Sequence, residues 1–179
     1  MESTSKKTVW AFDPVHTRIR FDTKYLMIST VSGWFREFEG TVTNEGDDFG
    51  ESEIHLVIYS CSLFTGNEER DAHLRSADFF ETNKYPTIKF HSTEIDKQGD
   101  EFLIKGILSI KNIQQPIEFK ATYLGMAKDF NDNTKAGFEM EAVFDRKDFN
   151  ITWNRFFDKE GVLISDQVKV HADVQLLKI

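Results

Sequence analysis

"EFLIKGILSI", residues 101–110, decides the fold. Every second side chain faces the same way: Phe102, Ile104, Gly106, Leu108 and Ile110 form one row, and Glu101, Leu103, Lys105, Ile107 and Ser109 the other. A period of two marks a strand with one face against a core. An amphipathic helix would instead repeat its apolar residues three and four apart. The same alternation recurs along the chain. "RIRFDTKY" (18–25) sets Ile19, Phe21, Thr23 and Tyr25 against Arg18, Arg20, Asp22 and Lys24. "EIHLVIY" (53–59) groups Ile54, Leu56 and Ile58, and "TIKFHS" (87–92) groups Ile88 and Phe90. "IEFKATY" (117–123) aligns Ile117, Phe119, Ala121 and Tyr123, and "AGFEMEAVF" (136–144) aligns Phe138, Met140, Ala142 and Phe144. "VKVHADVQL" (168–176) aligns Val168, Val170, Ala172, Val174 and Leu176.

Turn-forming clusters separate these runs: "NEGDDFG" (44–50), "DKQGD" (96–100) and "KDFNDNTKAG" (128–137). Short links between neighbouring strands imply antiparallel pairing. About eight such strands, each with one apolar face, suit a closed barrel, which leaves no sheet edge exposed. A two-sheet sandwich has the same alternation, so the pattern by itself leaves both open.

One segment breaks the period. "RDAHLRSADFF" (70–80), preceded by "TGNEE" (65–69), reads as a short helical insertion around residues 67–80, its helix ending near Arg75. Thr65 with Glu68 forms one candidate capping box. Asn67 is the other candidate N-cap, with Glu68 and Glu69 at the positive end of the helix dipole. Pro86 stops further helix and biases Tyr85 towards extended geometry. An insertion between two strands would lie over one mouth of a barrel. Residues 1–7 are expected to form a flexible N-terminus and residues 8–179 a single domain.

The 179 residues are 40% hydrophobic and 29% charged, which fits one globular domain with a sizeable core. Phe is unusually frequent, 17 against 4 Tyr and 3 Trp, which suggests an interior able to hold more than its own side chains. The formal charge of −8 disfavours nucleic acid as a partner. A single cysteine, Cys61, excludes an intramolecular disulfide and fits a reducing compartment. No stretch has the apolar length of a signal peptide or a transmembrane helix. The expected location is therefore cytoplasmic, or periplasmic if a leader has been trimmed away.

Arg70, Asp71 and His73 look at first like catalytic equipment. On a helix, however, two residues advance by roughly 200°, so Asp71 and His73 point apart and cannot form a dyad. No nucleophile motif accompanies them. They are expected to brace the insertion, with Phe79 and Phe80 anchoring it to the barrel. The histidines, His16, His55, His73, His91 and His171, form no metal-ligand spacing, so no metal site and no resident cofactor are expected. His55, His91 and His171 read as surface residues. Asp13 and His16 suggest local hydrogen bonding around Pro14. Arg146 and Asp148 could pair or cap a chain reversal, and Cys61 reads as a small buried residue.

At this point the landmarks resemble the YceI-like family of polyisoprenoid-binding, lipocalin-like proteins. The likeness covers nearly the whole chain. It runs through Trp10, Asp13 and His16 in "WAFDPVHTRIRF", then Gly33, Phe35, Phe38 and Gly40 in "VSGWFREFEG". It is densest in "RDAHLRSADFFETNKYPTIKFHS" (70–92) and continues in "KGILSIKNIQQPIEF", "FDRKDFNITW" and "ISDQVKVHADVQL". The resemblance implies an extended eight-stranded antiparallel barrel with a helical insertion, a long apolar tunnel and a homodimer. Four positions depart from the family pattern. Tyr25 stands where His is frequent, "LSIKN" brings Ser109 and Asn112, and Asn150 replaces a turn glycine.

The expected function is non-catalytic: carriage of a polyisoprenoid such as a quinone or polyprenyl lipid, or a fatty-acid-like molecule, with a tail of about 30–40 carbons. The expected ligand-binding residues are Ile19, Phe21, Phe38, Val42, Leu56, Ile58, Phe90, Phe102, Ile104, Leu108, Phe119, Phe138, Met140 and Phe144. Tyr25, Arg70 and His73 are the expected headgroup contacts. An enzyme acting on a lipid at the barrel mouth and an interaction module with a filled barrel are the alternatives.

Overall fold

The structure, a computed structural model, describes residues 6–46, 48–157 and 161–179. Residues 1–5 of the expected flexible terminus lie outside that set, and Lys7 already opens the first strand. The described strands are β1 (Lys7–Phe12), β2 (Arg18–Tyr25), β3 (Ser29–Phe35), β4 (Phe38–Glu45), β5 (Asp48–Tyr59), β6 (Leu63–Phe64), β7 (Thr87–Gln98), β8 (Glu101–Ile110), β9 (Ile113–Lys128), β10 (Thr134–Asp145), β11 (Phe156–Phe157), β12 (Gly161–Val162) and β13 (Gln167–Lys178). One helix, α1 (Glu68–Arg75), lies between β6 and β7.

Several of these strands are halves of longer ones. β1 and β2 both run antiparallel to β13, Phe12 opposite Leu176 and Arg18 opposite Asp173, so they form one strand interrupted at Asp13–Thr17. β3 pairs with β2 and β4 with β1, making a second interrupted strand. β5 pairs with β4 and β6 with β3, making a third. These three, with β7, β8, β9, β10 and β13, give an eight-stranded antiparallel meander closed where the first strand meets the last. Closure excludes the sandwich. β11 and β12 form a small separate hairpin.

The turns follow local chemistry. β8 and β9 are joined by Lys111 and Asn112, both left-handed (φ 54° and 60°), with Ile110 opposite Ile113. This two-residue turn matches the twist of the strands. Asn150, where the resemblance leads one to expect a glycine, takes the left-handed conformation (φ 57°, ψ 31°) after the 3-10 turn Arg146–Phe149. Inside the barrel, Gly33 and Gly106 leave room for aromatic rings. A Cβ on Gly33 would meet the Phe21 ring at 2.3 Å, and one on Gly106 would meet the His91 carbonyl oxygen at 2.3 Å and the Phe90 ring at 2.4 Å.

Asn67 caps α1, its side-chain oxygen accepting the Arg70 N–H at 2.9 Å. Thr65 acts differently, since its N–H and hydroxyl donate to the buried Asp71 carboxylate. Cys61 is exposed rather than buried. It is the middle residue of the 3-10 turn Ser60–Ser62, whose outer two residues turn inward. No helix among the described residues is long and apolar enough to cross a membrane.

Candidate functional site

The inward rows do not fill the barrel. They enclose a cavity of about 540 Å³, within the range of small-molecule sites. Thirteen of the fourteen expected wall residues line it: Ile19, Phe21, Val42, Leu56, Ile58, Phe90, Phe102, Ile104, Leu108, Phe119, Phe138, Met140 and Phe144. Phe38 does not. It is buried in the core, but it is the first residue of β4, immediately after the interruption at Arg36 and Glu37, and lies off the cavity wall.

Phe49, Ile95 and Trp153 also line the cavity, and alternation alone does not find them. Phe49 falls within a turn signal in the sequence. It is out of phase with Ser52, Ile54 and Leu56 because the stretch 49–52 bulges opposite Asn44, with the Ser52 hydroxyl donating to the Phe49 carbonyl. Ile95 is likewise rephased by an irregularity between Ser92 and Glu94. A bulge shifts the alternation by one residue and leaves no mark in composition. Trp153 follows the 3-10 turn at Arg146 and belongs to no strand.

Aromatic rings cluster at one end of the cavity. Phe49 packs on Trp10 (5.2 Å between centroids), Phe138 (5.1 Å) and Tyr123 (5.9 Å), and Phe138 also meets Phe102 (5.8 Å). Trp10 is fully buried, its indole N–H donating to Asn44 at 3.0 Å. α1 and the turn after it cover the other end. The Phe80 ring meets Phe35 (5.7 Å) and Phe21 (6.4 Å), while Phe79 packs on Trp153 (5.4 Å), so both residues anchor the insertion as expected.

Tyr25, Arg70 and His73 gather at this second end and face the cavity, as do Lys24 and Glu69. Arg70 is partly committed: Nε donates to the Thr65 hydroxyl at 2.7 Å and Nη2 to the Thr65 carbonyl at 2.9 Å. The His73 ring lies edge-on to Trp153 at 4.6 Å, with Nε2 2.8 Å from Asp78. Asp71 turns away to Thr65, so no Asp71–His73 dyad exists. Arg146 is almost fully buried and donates to the carbonyls of Ile151, Trp153 and Ser165 at 2.9–3.0 Å. Its carboxylate neighbour is Asp166 at 3.7 Å, not Asp148.

The Asp13 cluster lies off the cavity wall. Burial alone would raise the Asp13 carboxyl, but hydrogen bonds from Lys135 (2.8 Å), His16 (3.0 Å) and the Val15 N–H (2.9 Å) outweigh it and hold the group well below the usual carboxylate range. This cluster ties the break between β1 and β2 to β10. His55 and His91 stack on the outer surface, and His171 lies between Glu141 and Asp173. Among the described residues, no group of three or more His, Cys, Asp or Glu gathers as a metal site.

Relatives share this architecture. The protein YceI of Escherichia coli O157:H7 is 38% identical over 136 residues, 76% of this chain and 71% of that one. The crystal structure of a Campylobacter jejuni YceI protein superposes with a TM-score of 0.72 at 26% identity, covering 87% of this chain and 90% of that one. A polyisoprenoid binding domain from Saccharophagus degradans superposes with a TM-score of 0.72 at 15% identity, covering 95% and 98%. The YceI-like domain model matches residues 10–176, from the buried Trp10 to Leu176 at the end of the closing strand, and the chain belongs to the YceI-like family.

Proposed function

We propose that the protein binds and carries a long apolar chain, that of a polyisoprenoid such as a quinone or polyprenyl lipid or of a fatty-acid-like molecule, without transforming it. The observation that carries this function is the cavity itself: a closed barrel with unfilled space walled by the aliphatic and aromatic rows. Each methylene moved from water into such walls contributes about 0.8 kcal/mol. Ten of them contribute about 8 kcal/mol, of the order of the cost of association, so each further methylene adds affinity without polar contacts. The Saccharophagus degradans neighbour is described as a polyisoprenoid binding domain, and a ligand of that class suits these walls. Tyr25, Arg70 and His73, with Lys24 and Glu69 beside them, stand where a headgroup would emerge and bring hydrogen-bonding groups to that end of the wall.

The test is native mass spectrometry and organic extraction of the protein after incubation with a bacterial lipid extract. Wild type should retain a stoichiometric lipid. Met140→Trp, which places an indole in the space, should remain folded by circular dichroism and retain at least tenfold less. An empty wild type, or equal retention by the variant, refutes the proposal.

A further inference from the structure

We propose, on the basis of this carrier function, that the aromatic floor of the barrel is a ruler for the ligand's chain. Phe49 and Phe138, backed by Trp10, Tyr123 and Phe102, close the cavity opposite α1. All these rings except Tyr123 are buried, and their mutual contacts at 5.1–5.9 Å are the proposed stop for a chain entering beside α1. Its length is bounded by the space between. The cavity of about 540 Å³ is finite, so the buried part of the chain has an upper length. The preferred ligand therefore has a buried chain that just reaches the floor. A longer chain must leave its excess outside.

The experiment titrates saturated fatty acids of 10 to 24 carbons against the full chain, by displacement of a dansylated fatty acid. Wild-type affinity should rise with each added pair of carbons and level off once the chain reaches the floor. Phe49→Leu and Phe138→Leu deepen the floor and should move the break by two or more carbons towards longer chains. Val42→Phe, on the wall near the floor, should move it towards shorter ones. Opposite shifts cannot both arise from loss of fold, and Val42→Phe decides alone if the floor variants do not fold. A break unmoved by these changes, or affinity still rising at 24 carbons in wild type, overturns the ruler and leaves the carrier function standing. Failure of every acid to bind wild type removes both.

A separate observation concerns the outside of the mouth. The tip between β2 and β3, Leu26–Met27–Ile28, is apolar and exposed, Ile28 at 84% and Met27 at 63%. Leu26 and Met27 are both left-handed (φ 52° and 58°), a conformation that branched or long side chains disfavour. The tip joins the cavity mouth directly: Tyr25 precedes it, and the Leu26 N–H donates to the carbonyl of Leu163, another wall residue. Such a small tip cannot supply the roughly 20–30 residues a side of a stable protein interface. We infer that it seats in the surface of a lipid bilayer, where a water-insoluble chain resides before capture.

The net charge of −8 offers no attraction to anionic lipid, so phosphatidylcholine vesicles are the appropriate probe. Wild type should sediment with them. Met27→Asn combined with Ile28→Ser should sediment at least fivefold less while binding fatty acid unchanged. Equal sedimentation, or none by wild type, overturns this docking. So does a wild-type dimer in solution that the double variant dissociates, which would make a second copy the occupant.

Discussion

Asp71 shows how residue type and position separate structure from chemistry. Its carboxylate is buried and takes both the N–H and the hydroxyl of Thr65, binding α1 to the segment just before it. Asp71→Asn keeps the shape but turns one acceptor into a donor that faces donors. It should destabilise the protein by about 1–3 kcal/mol in urea unfolding. Asp13 makes a prediction in pH. Its folded-state pKa is depressed, so its contribution is fully present above the unfolded value of about 3.9 and is lost as pH falls through the folded value. The stability gap between wild type and Asp13→Asn should be about 1–3 kcal/mol at pH 5 and should shrink below pH 4. A gap that widens below pH 4 would contradict the assignment.

At the scale of elements, strands and turns make different demands. The turn at Lys111 and Asn112 needs two left-handed residues, and neither is glycine. The double change Lys111→Asn and Asn112→Gly supplies the preferred pair for this turn type. It should add about 1 kcal/mol and raise Tm by roughly 2–4 °C. Gly106 makes the opposite demand. Its missing Cβ admits the Phe90 ring on one side and the His91 carbonyl on the other. Since the carbonyl is backbone and cannot swing away, Gly106→Ala should cost about 2 kcal/mol or more, read as a fall in the urea midpoint. An unchanged midpoint would show that β8 can move away from β7.

At the scale of the whole molecule, closure produces the site. Eight strands each bury one face, and the meander brings the first strand back to the last. The cavity belongs to no single strand, so a bound chain stabilises all of them together. Saturating palmitate at 100 times its Kd should raise stability by about 2.7 kcal/mol, seen as a Tm shift in calorimetry. Met140→Trp should abolish that shift, and a shift that persists in the variant would place the ligand elsewhere.

The amino-acid sequence determined the strands, the insertion and a core set of wall residues, thirteen of the fourteen it nominated. Alternation is a local property, because successive side chains on a strand must face opposite sides. "EFLIKGILSI" therefore reads correctly without any neighbour, and so does Asn67 as the cap of α1. Closure into a barrel, the space left inside and the aromatic floor were decided only by the tertiary structure. Phe49 and Ile95 reach the cavity through bulges that rephase their strands, and Phe38 leaves it because its strand begins after an interruption. Arg146 meets Asp166 instead of Asp148 because the chain folds back there. Whether apolar rows fill a barrel or enclose space depends on how strands from across the chain stand relative to one another, and no local pattern of residues records that distance.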